Sequence, residues 1–381
     1  MANLVTDPVA TVIRRGTHRV CTPEDTWRRI RPLLRPAGIT RVADLTRLDS
    51  IGIPVWQAVR PASLNLSVSQ GKGVDSMLAR VSAAMEALEL WHAEAIGLPV
   101  RRESVGAMRR ELGDGVASLP RPARHLLSDA AVLDWLPART LVDGAASALP
   151  REMVELDYRV GASWLPPLVT RTSNGLASGN TLVEAQLHGL CELVERDALA
   201  RAPEQPRRAL DPTLVEGDAG PLLDLMRAAG VEVRLADITG PVPVPCVEAA
   251  IRSDAFPLWC RGAGCHPDPE VALCRALTEA AQSRLTLIAG ARDDLTSHQY
   301  ADLEDRWSTP APPPAPAAGG GQARFEPVAA DSDLAAELRR VAGLVEALTG
   351  LPIAWVDLAR REVGLPVVRL VAPGLRVPDG M

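Results

Sequence analysis

Three stretches of this chain have helical periodicity and gather their polar residues into narrow stripes on otherwise apolar surfaces. That pattern limits what the chain can become. In Ser82-Ala-Ala-Met-Glu86-Ala-Leu-Glu89 the polar positions are i, i+4 and i+7, which a helix brings within roughly 60° of one another. Glu184, His188, Glu192 and Glu195 stand at i, i+4, i+8 and i+11, a stripe about 80° wide by the same rotation. Leu187, Leu190, Cys191 and Val194 fill much of the remaining surface, and Arg196 and Asp197 follow directly. Arg275, Glu279 and Gln282 repeat the first spacing, with Arg284 just beyond. Carboxylates stacked a turn apart repel one another. A solvated face would interleave lysine or arginine between them, and the first stripe has no such cation. Two readings stand: exposed faces of amphipathic helices, or convergence on hard cations. Mg²⁺ takes oxygen ligands and is commonly shared with substrate phosphates. Glu86, Glu89, Glu192 and Glu195 together suit more than one Mg²⁺ against a triphosphate.

A second feature points the same way. Lys72 is the only lysine; every other strong cation is arginine. It stands in Ser69-Gln70-Gly71-Lys72-Gly73, where glycines permit a close backbone approach to a ligand and a compact ammonium suits a phosphate. The plain alternative is a surface lysine in a turn. No G-x-x-x-x-G-K-[ST] is present, so the P-loop solution is excluded, as is the G-x-S-x-G elbow. Gly175-Leu-Ala-Ser-Gly179 precedes a helical stretch and is able to receive an anion at a helix start, a weak signal alone.

Composition removes other classes. The net charge of −6 gives no basic face for nucleic acid or an anionic membrane, and 3% aromatic residues leave little for base stacking. No apolar run reaches the roughly 18 residues of a membrane span, and the start lacks a signal-peptide pattern; a soluble cytoplasmic protein is expected. Cys260, Cys265, His266 and Cys274 invite a zinc reading, but no C-x-x-C is present, and ordinary buried thiols are expected. His92 and His188 lie on the acidic helices as either a base or hydrogen-bonded structural residues. Cys191 falls on the apolar side, where core packing is expected.

The chain reads as mixed α/β. A helix opens at Thr22-Pro23-Glu24-Asp25, with a capping threonine and proline at the first position, and runs to about Leu34. Residues 51–73 alternate as extended chain and 75–96 form a long helix. Residues 97–170 mix short strands and helices. Further helices are predicted from about Leu182 to Arg201 and over 268–290 and 332–349. Strands are predicted at Val231–Leu235, Val247–Arg252, 353–358 and 367–371. The Pro/Ala/Gly-rich run at 309–323 is expected to be a disordered loop.

These motifs resemble the YcaO family. Ser69–Gly73 with Ser82–Glu89 resembles its first ATP/Mg motif. Ser173-Asn-Gly-Leu-Ala-Ser-Gly-Asn180 with Glu184 and Glu192–Asp197 resembles the second. Arg275–Arg284 with Gly290–Asp294 resembles the third, and Pro373-Gly-Leu375 its late turn. The likeness runs from about residue 15 to 376, implying one catalytic domain over 1–381 with helices on mixed sheets and ATP between the glutamate-bearing helices. It implies that Glu86, Glu89, Glu192 and Glu195 bind Mg²⁺ and that Ser82, Asn180, Glu184 and Arg196 contact ATP or hold its metals. Arg19 and Thr26 stand where the family places a cation and a hydroxyl on the nucleotide. Gln282, Arg284 and Arg275 compete for a late contact, and Lys72 fits the family's Gly-Lys-Gly. The implied chemistry is ATP-driven activation of a peptide backbone amide.

The tail Arg376-Val-Pro-Asp-Gly-Met381 lacks the Pro-x-Pro-x-Pro common in azoline-forming members. The runs Gly16–Arg19, Gly38–Arg41, Leu48–Val55 and Glu89–Glu94 look like the subgroup that works with a TfuA partner. That resemblance implies thioamide formation in a ribosomal precursor peptide, with a TfuA-like protein, a sulfide source and a homodimer. Azoline or amidine formation by the enzyme acting alone is the alternative. A non-catalytic peptide-binding scaffold and a metal-dependent hydrolase are alternatives of other classes.

Overall fold

The computed structural model describes residues 9–12, 15–122, 124–159, 167–205, 207–292 and 333–377; the 309–323 run lies outside them. In chain order the principal elements are α1 Pro23–Ile30, β1 Arg41–Asp44, β2 Val55–Val59, β3 Val68–Lys72, α2 Ser76–Glu94, β4 Arg101–Ser104, α3 Val105–Leu112, α4 Asp114–Ala117, β5 Val132–Thr140, β6 Ala146–Pro150, α5 Arg151–Val154, β7 Leu176–Ser178 and α6 Leu182–Arg201. There follow β8 Arg208–Leu210, α7 Gly220–Ala228, β9 Glu232–Asp237, β10 Cys246–Ser253, β11 Phe256–Cys265, α8 Pro269–Ala289, α9 Leu334–Thr349, β12 Ala354–Asp357 and β13 Val367–Val371. The chain is mixed α/β, as its pattern predicts. It divides into two compact units, residues 1–11, 88–200 and 331–381 in one, and 12–87 and 201–330 in the other.

The unit containing residues 12–87 and 201–330 has two antiparallel sheets, β1-β2-β3 and β11-β10-β9-β8. Its main core joins Leu222 and Met226 of α7, Val247 and Ile251 of β10 and Leu273 and Leu277 of α8. Local signals set the ends of its helices. Thr22 caps α1, its side chain accepting from Asp25 N at 3.1 Å, and the helix continues as a 3-10 turn over Arg31–Leu33, matching the predicted reach. Asp268 caps α8, and Gly290 ends it in the left-handed conformation, where glycine has no Cβ penalty.

Glycines bring strands and helices of this unit into close approach. A Cβ on Gly71 would lie 2.0 Å from Ala83 N, and one on Gly73 would lie 2.6 Å from Leu78 Cβ, so the Gly-Lys-Gly glycines admit the first turns of α2. Gly262 and Gly264 of β11 do the same for α8, with Ala280 N at 2.3 Å and Ala272 O at 2.1 Å from the added Cβ. The ten-residue strand β11 is an addition to the predicted strands at Val231–Leu235 and Val247–Arg252.

The other unit is built on one antiparallel sheet, β4-β5-β12-β13-β7, with β6 on β5. Its central strands come late in the sequence: β12 pairs with β5, and β13 pairs with β12 and β7. Asp333 caps α9, which buries Leu334, Leu338, Val341 and Val345 along one face. β13 is buried at every position, Arg369 included.

Candidate functional site

None of the acidic stripe residues faces open water. Glu184 and Glu195 are buried, and Glu86, Glu89, Glu192 and Glu279 are half-buried. Along α2 only Ser76 is exposed, and along α6 and α8 no residue is. The exposed-face reading of the stripes therefore fails.

In the unit built on the single sheet, three of these carboxylates clasp one short segment. Gly175 N donates to Glu192 Oε2 at 3.1 Å. Ser178 donates to Glu89 Oε1 from its N at 2.9 Å and its Oγ at 2.5 Å. Asn180 donates to Glu184 Oε1 from both its N and its Nδ2 at 3.2 Å. Ser178, the last residue of β7, takes Glu89, and Gly175, the residue just before the strand, takes Glu192. β7 is held in turn by β13, with Arg369 opposite Leu176 and Val367 opposite Ser178. Gly175 has φ +80°, and a Cβ there would stand 2.5 Å from Leu370 O. The motif's small residues thus let the segment pass between β13 and α6. Thr181 caps α6 by accepting from Glu184 N at 3.2 Å, so Glu184 also belongs to the helix-start network.

The electrostatics of this segment are lopsided. Arg196 Nη2 lies 3.8 Å from Glu192 Oε1 and 3.7 Å from Glu195 Oε1, at the outer edge of ion pairing. An all-oxygen donor set of this kind fits Mg²⁺, so the residues present suit a divalent ion.

The remaining predicted residues lie in the other unit. Ser82 and Glu86 stand half-buried on α2. Lys72 forms an ion pair with Glu279 of the third stripe. Thr26 is buried, its Oγ1 donating to Thr22 O at 3.1 Å. Arg19 accepts from Val12 N through its carbonyl at 2.8 Å. Gln282 is half-buried on α8. Arg284 is 2% exposed and closes on Asp49 through Nε at 2.8 Å and Nη2 at 3.1 Å, with Nη1 on Ser253 Oγ at 3.1 Å. A guanidinium so enclosed serves the fold. Nothing in the local pattern around Asp49 announces this partner, 235 residues away.

His92 and the cysteines resolve toward structure. His92 Nδ1 pairs with Leu88 O at 2.7 Å, and burial pulls its pKa down to about 4. Burial also pushes the Cys260 thiol up to about 12 and raises Cys274, which keeps both protonated and poor as metal ligands. Cys191 is fully buried. His266, weighed above with the cysteines, stacks edge to face at 4.8 Å on the buried His18, whose Nε2 is 3.3 Å from Asp268. The most telling residue missed is Arg369, a charge in the apolar run Val-Val-Arg-Leu-Val. That incongruity was its available signal.

Comparison with known proteins shows the family. A family model described as YcaO cyclodehydratase, ATP- and Mg²⁺-binding, matches residues 70–376. A protein of Mycobacterium tuberculosis without an assigned function is 42% identical over 296 residues, 77% of this chain and 67% of that one. A protein of Rhizobium leguminosarum bv. trifolii, described by its position in the tfuA 3′ region, is 38% identical over 382 residues, covering 94% and 89%. Among solved structures, the YcaO protein of Methanopyrus kandleri bound with AMPPCP and Mg²⁺ is similar at 25% identity and TM-score 0.71, covering 97% and 96%. A heterocyclase in complex with substrate and cofactor is similar in fold at 22% identity and TM-score 0.74; this chain spans 54% of its length.

Proposed function

Because this chain belongs to the YcaO family of ATP-dependent peptide-modifying enzymes, we propose that it converts a backbone amide of a ribosomally made peptide into a thioamide. ATP and Mg²⁺ are the family's cofactors. When bound, they supply the phosphoryl group that turns the amide oxygen into a leaving group and neutralise the charge on it. Glu86, Glu89, Glu192 and Glu195 would hold Mg²⁺, and Ser82, Asn180, Glu184 and Arg196 would position the nucleotide. Lys72, Arg19 and Thr26 are assigned to phosphate and nucleotide contacts. Of the late candidates we favour Gln282, since Arg284 is closed on Asp49.

The observation that carries the reading is the anchoring of carboxylates from two helices on the single segment Gly175–Asn180. Each anchoring donor fixes one oxygen and so orients the carboxylate before any ion arrives, which lowers the cost of binding. His92, hydrogen-bonded and neutral, is left out of the proton transfers.

The choice of sulfur as nucleophile is supported by the relative in the tfuA 3′ region and by the N-terminal likeness to the TfuA-associated subgroup. A TfuA-like partner, a sulfide source, homodimerisation and a cytoplasmic setting belong to the same proposal. Its test is reconstitution with a candidate precursor peptide, partner, Mg-ATP and sulfide, read by mass spectrometry. Replacement of one oxygen by sulfur is the expected product. Loss of one water would instead make the enzyme an azoline former, and an unmodified peptide with no ATP turnover would overturn the enzymatic reading.

A further inference from the structure

Thr172, Asn174, Leu193, Arg196, Arg369 and Arg376 are among the residues that wall a small cavity in the single-sheet unit, of about 30 Å³. That is room for one or two water-sized species. Arg369 stands at the middle of β13 and is 2% exposed. Its Nη2 donates to Thr172 O at 2.6 Å. Its Nε and Nη1 are buried and have no hydrogen-bond partner among the described residues, and the same holds for Asn174 Nδ2, in a residue 7% exposed. Buried charges and donors are ordinarily matched, because leaving them unmatched forfeits the hydration they had in water. Glu192 supplies a favourable field to Arg369, but no carboxylate forms an ion pair with it among the described residues. Two further arginines border the same space.

These features select the occupant. Water can accept from the spare donors but brings no charge to the guanidinium. A small, weakly hydrated monovalent anion matches a guanidinium, which is itself weakly hydrated, and accepts from several donors at once. We infer that this cavity is a binding subsite for a small soft anion of the hydrosulfide class, held by Arg369 and the Asn174 amide. The assignment of hydrosulfide rests on the thioamide reading; the anion site does not.

The two can fail separately. Crystals of the full chain soaked in sodium bromide are expected to give an anomalous peak beside Arg369 and Asn174. Asn174→Asp, nearly isosteric and so expected to fold, puts a carboxylate in the wall of the cavity and should abolish that peak. In the reconstituted reaction with sodium hydrosulfide, Asn174→Asp should raise the KM for sulfide about tenfold or more while the KM for ATP stays unchanged; Arg369→Lys should do likewise. Absence of bromide from the wild-type cavity, or an unchanged sulfide KM in Asn174→Asp, overturns the subsite even if the thioamide is made. A bromide peak from an enzyme whose product is an azoline upholds the anion site and overturns hydrosulfide as its occupant.

Discussion

Glu89 and Glu192 allow their charge to be removed without removing their bonds. Ser178 N and Oγ donate to one oxygen of Glu89, and Gly175 N to one of Glu192; a glutamine carbonyl accepts the same bonds. Glu89→Gln should therefore keep the wild-type melting temperature within a degree or two, Glu192→Gln, which also removes the favourable field on Arg369, should melt lower but still cooperatively, and both should lose on the order of 10²-fold or more in peptide-dependent ATP turnover. Near-wild-type turnover in either variant would remove these carboxylates from the site. His92 gives a pH prediction. Its folded pKa is held at about 4, below the ordinary 6.5, so the unfolded chain binds the extra proton. Its contribution to stability is therefore complete above pH 6.5 and lost as pH falls toward 4, up to about 3 kcal/mol. Comparing urea midpoints at pH 7.5 and 5 for wild type and His92→Gln isolates the term: the variant should lose less stability across that interval, and parallel losses would count against it.

At the scale of elements, glycine decides how strands meet helices. A methyl group on Gly71 has no space between β3 and the Ala79–Ala83 turn of α2, whose backbone N and O stand 2.0 and 2.3 Å from it. Gly71→Ala must push strand and helix apart, costing about 3 kcal/mol, read as a lowered urea midpoint. Gly97→Ala, which meets nothing within 4 Å, serves as the neutral control. Equal stability of the two variants would show that the β3–α2 approach is looser than the geometry requires. From sequence the glycines beside Lys72 read as room for a ligand; the approach they make in the fold is to a helix backbone.

At the scale of the whole molecule, chain order and spatial order part company. β12 and β13 come last in sequence but stand between β5 and β7 in the sheet. The segment that anchors Glu89 and Glu192 thus relies on a strand added nearly 200 residues later. A fragment ending at residue 332 would lack α9, β12 and β13 and leave β7 without its only strand partner among the described residues. That fragment should lose the cooperative thermal transition of the sheet unit, with partial recovery when 333–377 is supplied in trans. A sigmoidal melt at the wild-type temperature for the fragment alone would contradict this.

The sequence by itself determined whatever depends on neighbours a few residues apart. Helix periodicity placed Glu86 beside Glu89 and Glu192 beside Glu195, the Thr22 and Asp268 caps began helices, and the glycine-rich and acidic motifs carried the family resemblance. Only the tertiary structure decided partnerships across long separations. Lys72 found Glu279, 207 residues on, Arg284 closed on Asp49, Glu89 took Ser178, and Arg369 was drawn into the interior with donors to spare. Local propensity acts along the chain, whereas these contacts exist only once sheets and helices have packed, and no periodic pattern encodes which distant surfaces will meet.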